Sequence, residues 1–333
     1  MIEIIAEIGV NHNGNLGTAK EMIVKAKKSG ASAVKFQAYK TDQLTLKNNK
    51  KVPYQFNINI PNENHYQMLK KYELSEKDHQ ELKDFSEKEK IEYLCTPYDL
   101  DSLVMLEKLK VKRYKTSSAD IIDWFLHDFI AQTKKNVIIS TGMSTYKEIK
   151  KTLSIYKKSP CNITLLHCVS NYPCSNKSLN LKVIPKLAED FKTLVGLSDH
   201  SDNDIASIMS VALGVKVIEK HFTLNKKLEG PDHKASYEPM GFKNYVNNIR
   251  KAEIILGTAK KEVQKEEIKM MNVSRKSLVA KKKILKGEKV ILSLLSAKRP
   301  GIGIYPSDLN KILGKKLKRT ISKDQIIKLK DLK

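Results

Sequence analysis

TLVGLSDH at 193–200, NDIASIMSVALG at 203–214 and VKVIEKHFT at 215–223 follow one another in this chain. The outer two are apolar, β-branched runs of strand length, ending on or just past His200 and His221, and the middle one has helical spacing and closes on Gly. A strand, a helix and a second strand in that order make a parallel pair. The same unit recurs upstream. IEIIAEIG (2–9), SAVKFQAY (32–39), IEYLCTPY (91–98), KRYKTSS (112–118), NVIISTG (136–142) and NITLLHCVS (162–170) also read as strands. Amphipathic stretches with Ser, Thr, Asp or Asn at their starts lie between them. Eight strands alternating with helices predict an α/β fold, a (β/α)8 TIM barrel with its working residues at the carboxyl ends of the strands.

The 333 residues exceed one barrel. The pattern changes after Gly257, which predicts a barrel over 1–258, a charged linker over 259–276 and a small, mostly β domain over 277–333. A long excursion at 40–74, including VPYQFNINIPNENHYQ, reads as part of the barrel rim or a subunit contact. No run of 18 apolar residues occurs and the chain opens directly in a strand, so a cytoplasmic protein without a membrane span is expected. Cys95, Cys161, Cys168 and Cys174 form no C-x-x-C pair and are expected to be reduced thiols. The net charge of +24 comes mostly from dispersed lysines without interleaved aromatics. That reads as a solvated surface able to steer an anion, not as a nucleic-acid interface. GIGIYP at 301–306 does not join a strand to a helix, so no dinucleotide site is predicted.

Strand ends in a barrel converge on one pocket, so the residues there form a set: Glu7, Lys35, Gln37, Thr96, Lys115, Ser118, Ser140, Ser170, Ser198, His200, Glu219 and His221. Two lysines among hydroxyls suit a phosphate-bearing substrate, because ammonium supplies charge and the hydroxyls supply direction. His200 and His221 end neighbouring strands and can share a divalent cation while leaving positions open for water and substrate. With two imidazoles and no thiolate set, Mn2+ or Mg2+ is expected rather than structural Zn2+. Asp199 and Glu219 stand beside them as possible supporting carboxylates. Glu7 could orient a sugar hydroxyl, transfer a proton or pair with Lys35 or Lys115.

AEIGVNHNG, AVKFQAYK, CTPYD, YKTSSADI, ISTGM, LLHCVSNYP, GLSDH, EKHFT, GPDHKAS and KRPGIG occur in the order and spacing of the bacterial sialic acid synthase family, which this chain resembles over essentially its whole length. Its tail resembles the family's antifreeze-like (SAF) domain. The resemblance implies a transferase that condenses phosphoenolpyruvate with an N-acylated mannosamine-type sugar, releasing phosphate. It also implies a divalent metal, usually Mn2+, and a homodimer with the SAF domain of one subunit over the barrel of the other. By position, Lys35, Thr96, Lys115, Ser118, Ser140, Ser170 and Ser198 would hold phosphoenolpyruvate, and His200 and His221 the metal. Glu7, Gln37, Tyr172 and Asp232 would face the sugar, with Glu7 also catalytic, and Arg299 would reach toward the N-acyl group from the partner. The pattern departs at Ser170, often Asn or Thr, and at Asp120, where Glu is usual. N-acetylneuraminate synthase, with N-acetylmannosamine as acceptor, is the leading expectation. The alternative is a legionaminic acid synthase using 2,4-diacetamido-2,4,6-trideoxymannose; pseudaminic acid synthesis or a non-catalytic anion-binding barrel are further readings.

Overall fold

The computed structural model describes residues 1–51 and 63–333, so residues 52–62 of the long excursion lie outside the described residues. Eight strands build the first unit: β1 (Glu3–Gly9), β2 (Ala33–Ala38), β3 (Glu92–Pro97), β4 (Arg113–Thr116), β5 (Asn136–Ser140), β6 (Ile163–Cys168), β7 (Leu194–Asp199) and β8 (Val217–His221). All ladders between them are parallel, in the order β3-β2-β1-β8-β7-β6-β5-β4. The end strands β3 and β4 pack together, so the sheet is a nearly closed TIM-like barrel. The helices α1 (Leu16–Lys28), α2 (Thr41–Leu44), α3 (His65–Tyr72), α4 (Glu76–Lys88) and α5 (Leu100–Lys108) are followed by α6 (Trp124–Thr133), α7 (Tyr146–Ile155), α8 (Val183–Phe191), α9 (Ile205–Ala212) and α10 (Pro239–Leu256). Several start where the sequence offers a cap: Ser75 with Asp78 and Thr145 with Glu148 form reciprocal capping boxes.

Alternation along the strands sorts the residues into two faces. Ile4, Ala6 and Ile8 of β1 join Met22 and Ile23 of α1 in the main core, between sheet and helices. Ile5, Ala33, Leu94, Ile138, Leu166 and Val217, one from each of six strands, form a separate apolar layer across the barrel interior. Gly196 of β7 makes room there: a Cβ would stand 2.5 Å from Leu166 Cδ2. Toward the amino ends of the strands, Arg113 of β4 donates to Glu92 of β3 at 3.0 and 2.9 Å and to Glu3 of β1 at 2.9 Å. This ion pair joins the two strands that share no backbone ladder. Above the apolar layer the inward positions turn polar, so the barrel is a cup with a sealed floor.

The second unit, Thr258–Lys333, carries α11 (Glu267–Ser274) and an antiparallel pair, β9 (Ser277–Ala280) with β10 (Leu295–Lys298). Isolated bridges such as Ile284 with Ile321 and Leu317 with Leu332 extend its β character. Its own core includes Leu278, Ile284, Val290, Ile312, Leu317, Ile321 and Ile327. Among the described residues no helix is long and apolar enough to cross a membrane.

Candidate active site

The cup opens into a cavity of ≈ 630 Å³. Of the first-unit residues singled out from the sequence as site candidates, all line it except Thr96 and Asp199. At its base lie two lysines and two glutamates, all buried. Lys35 Nζ stands 3.0 Å from Glu7 Oε2 and 3.6 Å from Glu219 Oε2, and Lys115 Nζ stands 3.5 Å from Glu219 Oε1. Lys115 also donates to Ser140 Oγ at 2.7 Å, and Ser198 Oγ donates to Glu219 at 2.9 Å. Parity explains the convergence, because Glu7, Lys35, Lys115, Ser140, Ser198 and Glu219 each sit two residues beyond a member of the apolar layer or its equivalent. Burial would raise the Glu219 pKa, yet Lys115 and Lys35 hold it down at about 2. Burial raises that of Glu7, against the pull of Lys35. Burial, reinforced by Lys35, lowers that of Lys115.

One wall carries His200 and His221, whose ring centroids are 5.5 Å apart, with Tyr172 against both at 4.0 and 5.3 Å. His200 Nδ1 lies 2.8 Å from the Val169 carbonyl. A carbonyl only accepts, so Nδ1 carries a proton, and Nε2 is the nitrogen that can offer a lone pair when the ring is neutral. His221 Nδ1 is buried and has no hydrogen-bond partner among the described residues; it lies 4.0 Å from Asp232 Oδ2. Burial, with the nearby His200, keeps the His221 pKa well below its ordinary value, so the ring is neutral. Two imidazoles, one oriented by a backbone carbonyl and one with a buried nitrogen left without a partner, fit a shared divalent cation once both rings are neutral. Among the described residues no three His, Cys, Asp or Glu side chains are gathered to hold an ion on their own.

The remaining residues fall into place around these. Gly142 N donates to Ser118 Oγ at 3.0 Å, and a Cβ on Gly142 would collide with both Ser118 Oγ and Ser170 Oγ, so the glycine lets the two hydroxyls approach. Gln37 donates to Glu7 at 3.2 Å. Thr96 is fully buried behind Lys35 and accepts from its ammonium at 3.1 Å, which makes it a support for the lysine and not a lining residue. Asp120 lines the cavity and accepts from Ser117 Oγ at 2.6 Å; burial pushes its pKa up to about 6. Asp199 is not a partner of the imidazoles. It faces away from the axis, 3.2 Å from buried Lys220 and 2.8 Å from Ser207 Oγ. Two residues carry more than the sequence reading gave them. Glu219 links both lysines, and Cys168 lines the cavity 3.7 Å from His200 Nδ1. Both lie on inward positions of their strands, a parity visible in LLHC and VIEKH. All four cysteines are free thiols. Arg299 belongs to the second unit, just past β10.

A parallel barrel with charged groups, hydroxyls and imidazoles gathered at the carboxyl ends of its strands is the architecture of an enzyme. Residues 22–261 match the NeuB family and residues 275–333 the SAF domain; the chain belongs to the NeuB family and is a transferase of the sialic acid synthase type. It is 42% identical to the N,N'-diacetyllegionaminic acid synthase of Campylobacter jejuni subsp. jejuni serotype O:2, covering 98% of each chain. The N,N'-diacetyllegionaminic acid synthase of Legionella pneumophila is 41% identical, with 96% of this chain and 91% of that one covered. Among solved structures, the N-acetylneuraminic acid (sialic acid) synthetase of Leptospira borgpetersenii serovar Hardjo-bovis, in complex with citrate, matches with a TM-score of 0.72 at 34% identity. That match covers 81% of this chain and 90% of the other.

Proposed function

We propose that the protein condenses phosphoenolpyruvate, water and 2,4-diacetamido-2,4,6-trideoxymannose to N,N'-diacetyllegionaminic acid and phosphate. This reverses the order of the two acceptors expected from the motifs, where N-acetylmannosamine stood first. The observation that carries it is the likeness, nearly end to end, to two N,N'-diacetyllegionaminic acid synthases at 42% and 41% identity. The sialic acid synthetase of known structure is 34% identical.

The cavity chemistry supports the same reaction. Lys35 and Lys115 both approach Glu219 and therefore point at one locus, where a phosphate would take over the role of the glutamate. Ser118, Ser140, Ser170 and Ser198 surround it with donors. Holding phosphoenolpyruvate there and the open-chain sugar beside it orients C3 of the enol toward the aldehyde carbon, a positioning effect of about 7 to 11 kcal/mol at most. The new carbon–carbon bond leaves an alkoxide and a cationic C2. Water adds to C2, and phosphate departs with cleavage of the C–O bond. Glu7, Gln37, Tyr172 and Asp232, which line the same cavity, would orient the sugar's hydroxyls. His200 and His221 would hold a divalent cation, Mn2+ or Mg2+, which supplies Lewis acidity toward the aldehyde oxygen. Arg299 we assign to the N-acyl group across a homodimer, with the SAF domain of one subunit over the other's barrel, and the enzyme to the cytoplasm.

Phosphate release from phosphoenolpyruvate, measured against a panel of acceptor sugars with EDTA or added Mn2+, tests the reading. Release should require both sugar and metal, be fastest with the diacetamido sugar, and be lost in His200→Ala or His221→Ala. Full turnover in excess EDTA would exclude the metal, and a preference for N-acetylmannosamine would restore the other acceptor.

A further inference from the structure

The two rims of the cavity differ in chemistry. One is rich in hydroxyl and carboxyl groups, with Ser117, Ser118 and Asp120. The other comes from the excursion after β2, and its lining residues Leu44, Thr45, Asn49, His65 and Met68 present no formal charge. Burial lowers the His65 pKa, so that ring stays neutral. Behind this rim Met68, Leu69 and Tyr72 of α3 pack with Val10 and Tyr39 into a buried apolar cluster, and Leu44 leans on it. The wall is held in place: Asn64 and Gln67 form a capping box at the start of α3, and Tyr39 Oη donates to the Leu69 carbonyl at 3.0 Å.

Thr45, Asn49 and His65 form a polar group beside the apolar Leu44 and Met68. Asn49 Nδ2 donates to Thr45 Oγ1 at 2.9 Å and lies 3.4 Å from His65 Nδ1, while the His65 amide donates to the Asn49 carbonyl at 3.0 Å. In the tautomer whose Nδ1 accepts from Asn49, the His65 proton sits on Nε2. Asn49 Oδ1 and His65 Nε2–H thus remain as one acceptor and one donor without partners among the described residues. That is the complement of a secondary amide, whose N–H donates and whose carbonyl accepts.

We infer that this rim reads the far end of the acceptor: Asn49 and His65 take an acetamido group at C4, and Leu44 with Met68 take a methyl at C6. The inference rests on the acceptor proposed above. The aldehyde end belongs beside His200 and His221, so C4 to C6 run outward to the rim. Only two features separate the diacetamido sugar from N-acetylmannosamine, an amide in place of the C4 hydroxyl and a methyl in place of the C6 hydroxymethyl. The rim sets the amide-shaped site of Asn49 and His65 beside the apolar side chains of Leu44 and Met68. A fully hydroxylated sugar would set two hydroxyls against it.

The test uses the full chain with phosphoenolpyruvate and three acceptors: N-acetylmannosamine, its 6-deoxy derivative, and the 2,4-diacetamido-6-deoxy sugar. Asn49 is exposed and Thr45, Leu44 and His65 are half-buried, so substitutions here leave the core intact. Asn49→Ala and His65→Ala should each lower the kcat/KM ratio of the diacetamido sugar to the 6-deoxy monoamide by about tenfold or more. Leu44→Gln should lower the ratio of the 6-deoxy to the 6-hydroxy monoamide by about tenfold. If the wild type does not favour the diacetamido sugar, the acceptor reading fails and this inference with it. If the wild type does favour it and the ratios hold in the variants, the rim assignment alone is overturned.

Discussion

Glu219→Gln isolates the charge arrangement on which the site depends. In the free protein two buried lysines face two buried glutamates, and Glu219 alone touches both cations, at 3.6 and 3.5 Å. Each contact is worth about 5 kcal/mol at an effective dielectric constant near 20, most of it offset by desolvation. Removing one partner of such a cluster leaves buried cations uncompensated and costs about 3 to 5 kcal/mol. Glutamine keeps the size and can still accept from Ser198, so packing is unchanged. The melting temperature should fall on the order of 10 °C, taking about 2 to 4 °C per kcal/mol for a unit of this size. Phosphoenolpyruvate supplies the missing negative charge, so it should raise the melting temperature of the variant more than that of the wild type. Differential scanning fluorimetry with and without phosphoenolpyruvate, in the absence of sugar, measures both shifts. A variant that melts with the wild type and gains no more from phosphoenolpyruvate would refute the reasoning.

Lys35→Met keeps the aliphatic stem and removes the cation; the KM for phosphoenolpyruvate should rise roughly 10- to 100-fold, as expected for a lost charge-assisted hydrogen bond. A change confined to the sugar's KM would contradict the assignment. His79 and His127 are buried against the Tyr93 and Tyr156 hydroxyls, both at 2.7 Å. Burial pushes their pKa down to about 3 and about 4. Because the unfolded chain takes these protons near pH 6.5 and the folded one does not, stability should fall from pH 7 toward pH 4. The loss should be about 2 kcal/mol per histidine at pH 5, and His127→Gln should flatten the slope in pH-dependent denaturant melts; an equally steep slope in the variant would remove His127 as a cause. If the proposed homodimer shares its sites, mixing the His200→Ala and Arg299→Ala variants under subunit exchange should partly restore activity, and no recovery despite proven exchange would count against the shared arrangement.

The strands were legible because each is a short β-branched run between helix signals, and every one of the eight lies within a residue or two of its expected place. The inward set was legible for the same reason: once His200 and His221 are taken as facing the axis, counting by two fixes the rest of each strand. Asp199 and Glu219 show where that count must be applied strictly. Both are acidic neighbours of a histidine, but Asp199 precedes His200 by one and Glu219 precedes His221 by two. Period two sends Asp199 outward to Lys220 and Ser207, and Glu219 inward to Lys35 and Lys115. Cys168 obeys the same count from Leu166. Loops have no such period. Tyr172 and Asp232 reach the cavity from segments after β6 and β8, and the uncharged rim comes from α2, α3 and residues just after α2, all within the long excursion. There only the resemblance, or the folded chain itself, connects residue to site. Barrel parity thus specifies the buried charges and hydroxyls of the floor, to which the proposed function assigns the phosphate. The aperiodic rim, to which we assign the choice of acceptor, is free to vary, since residues there change without disturbing any ladder or the apolar layer beneath.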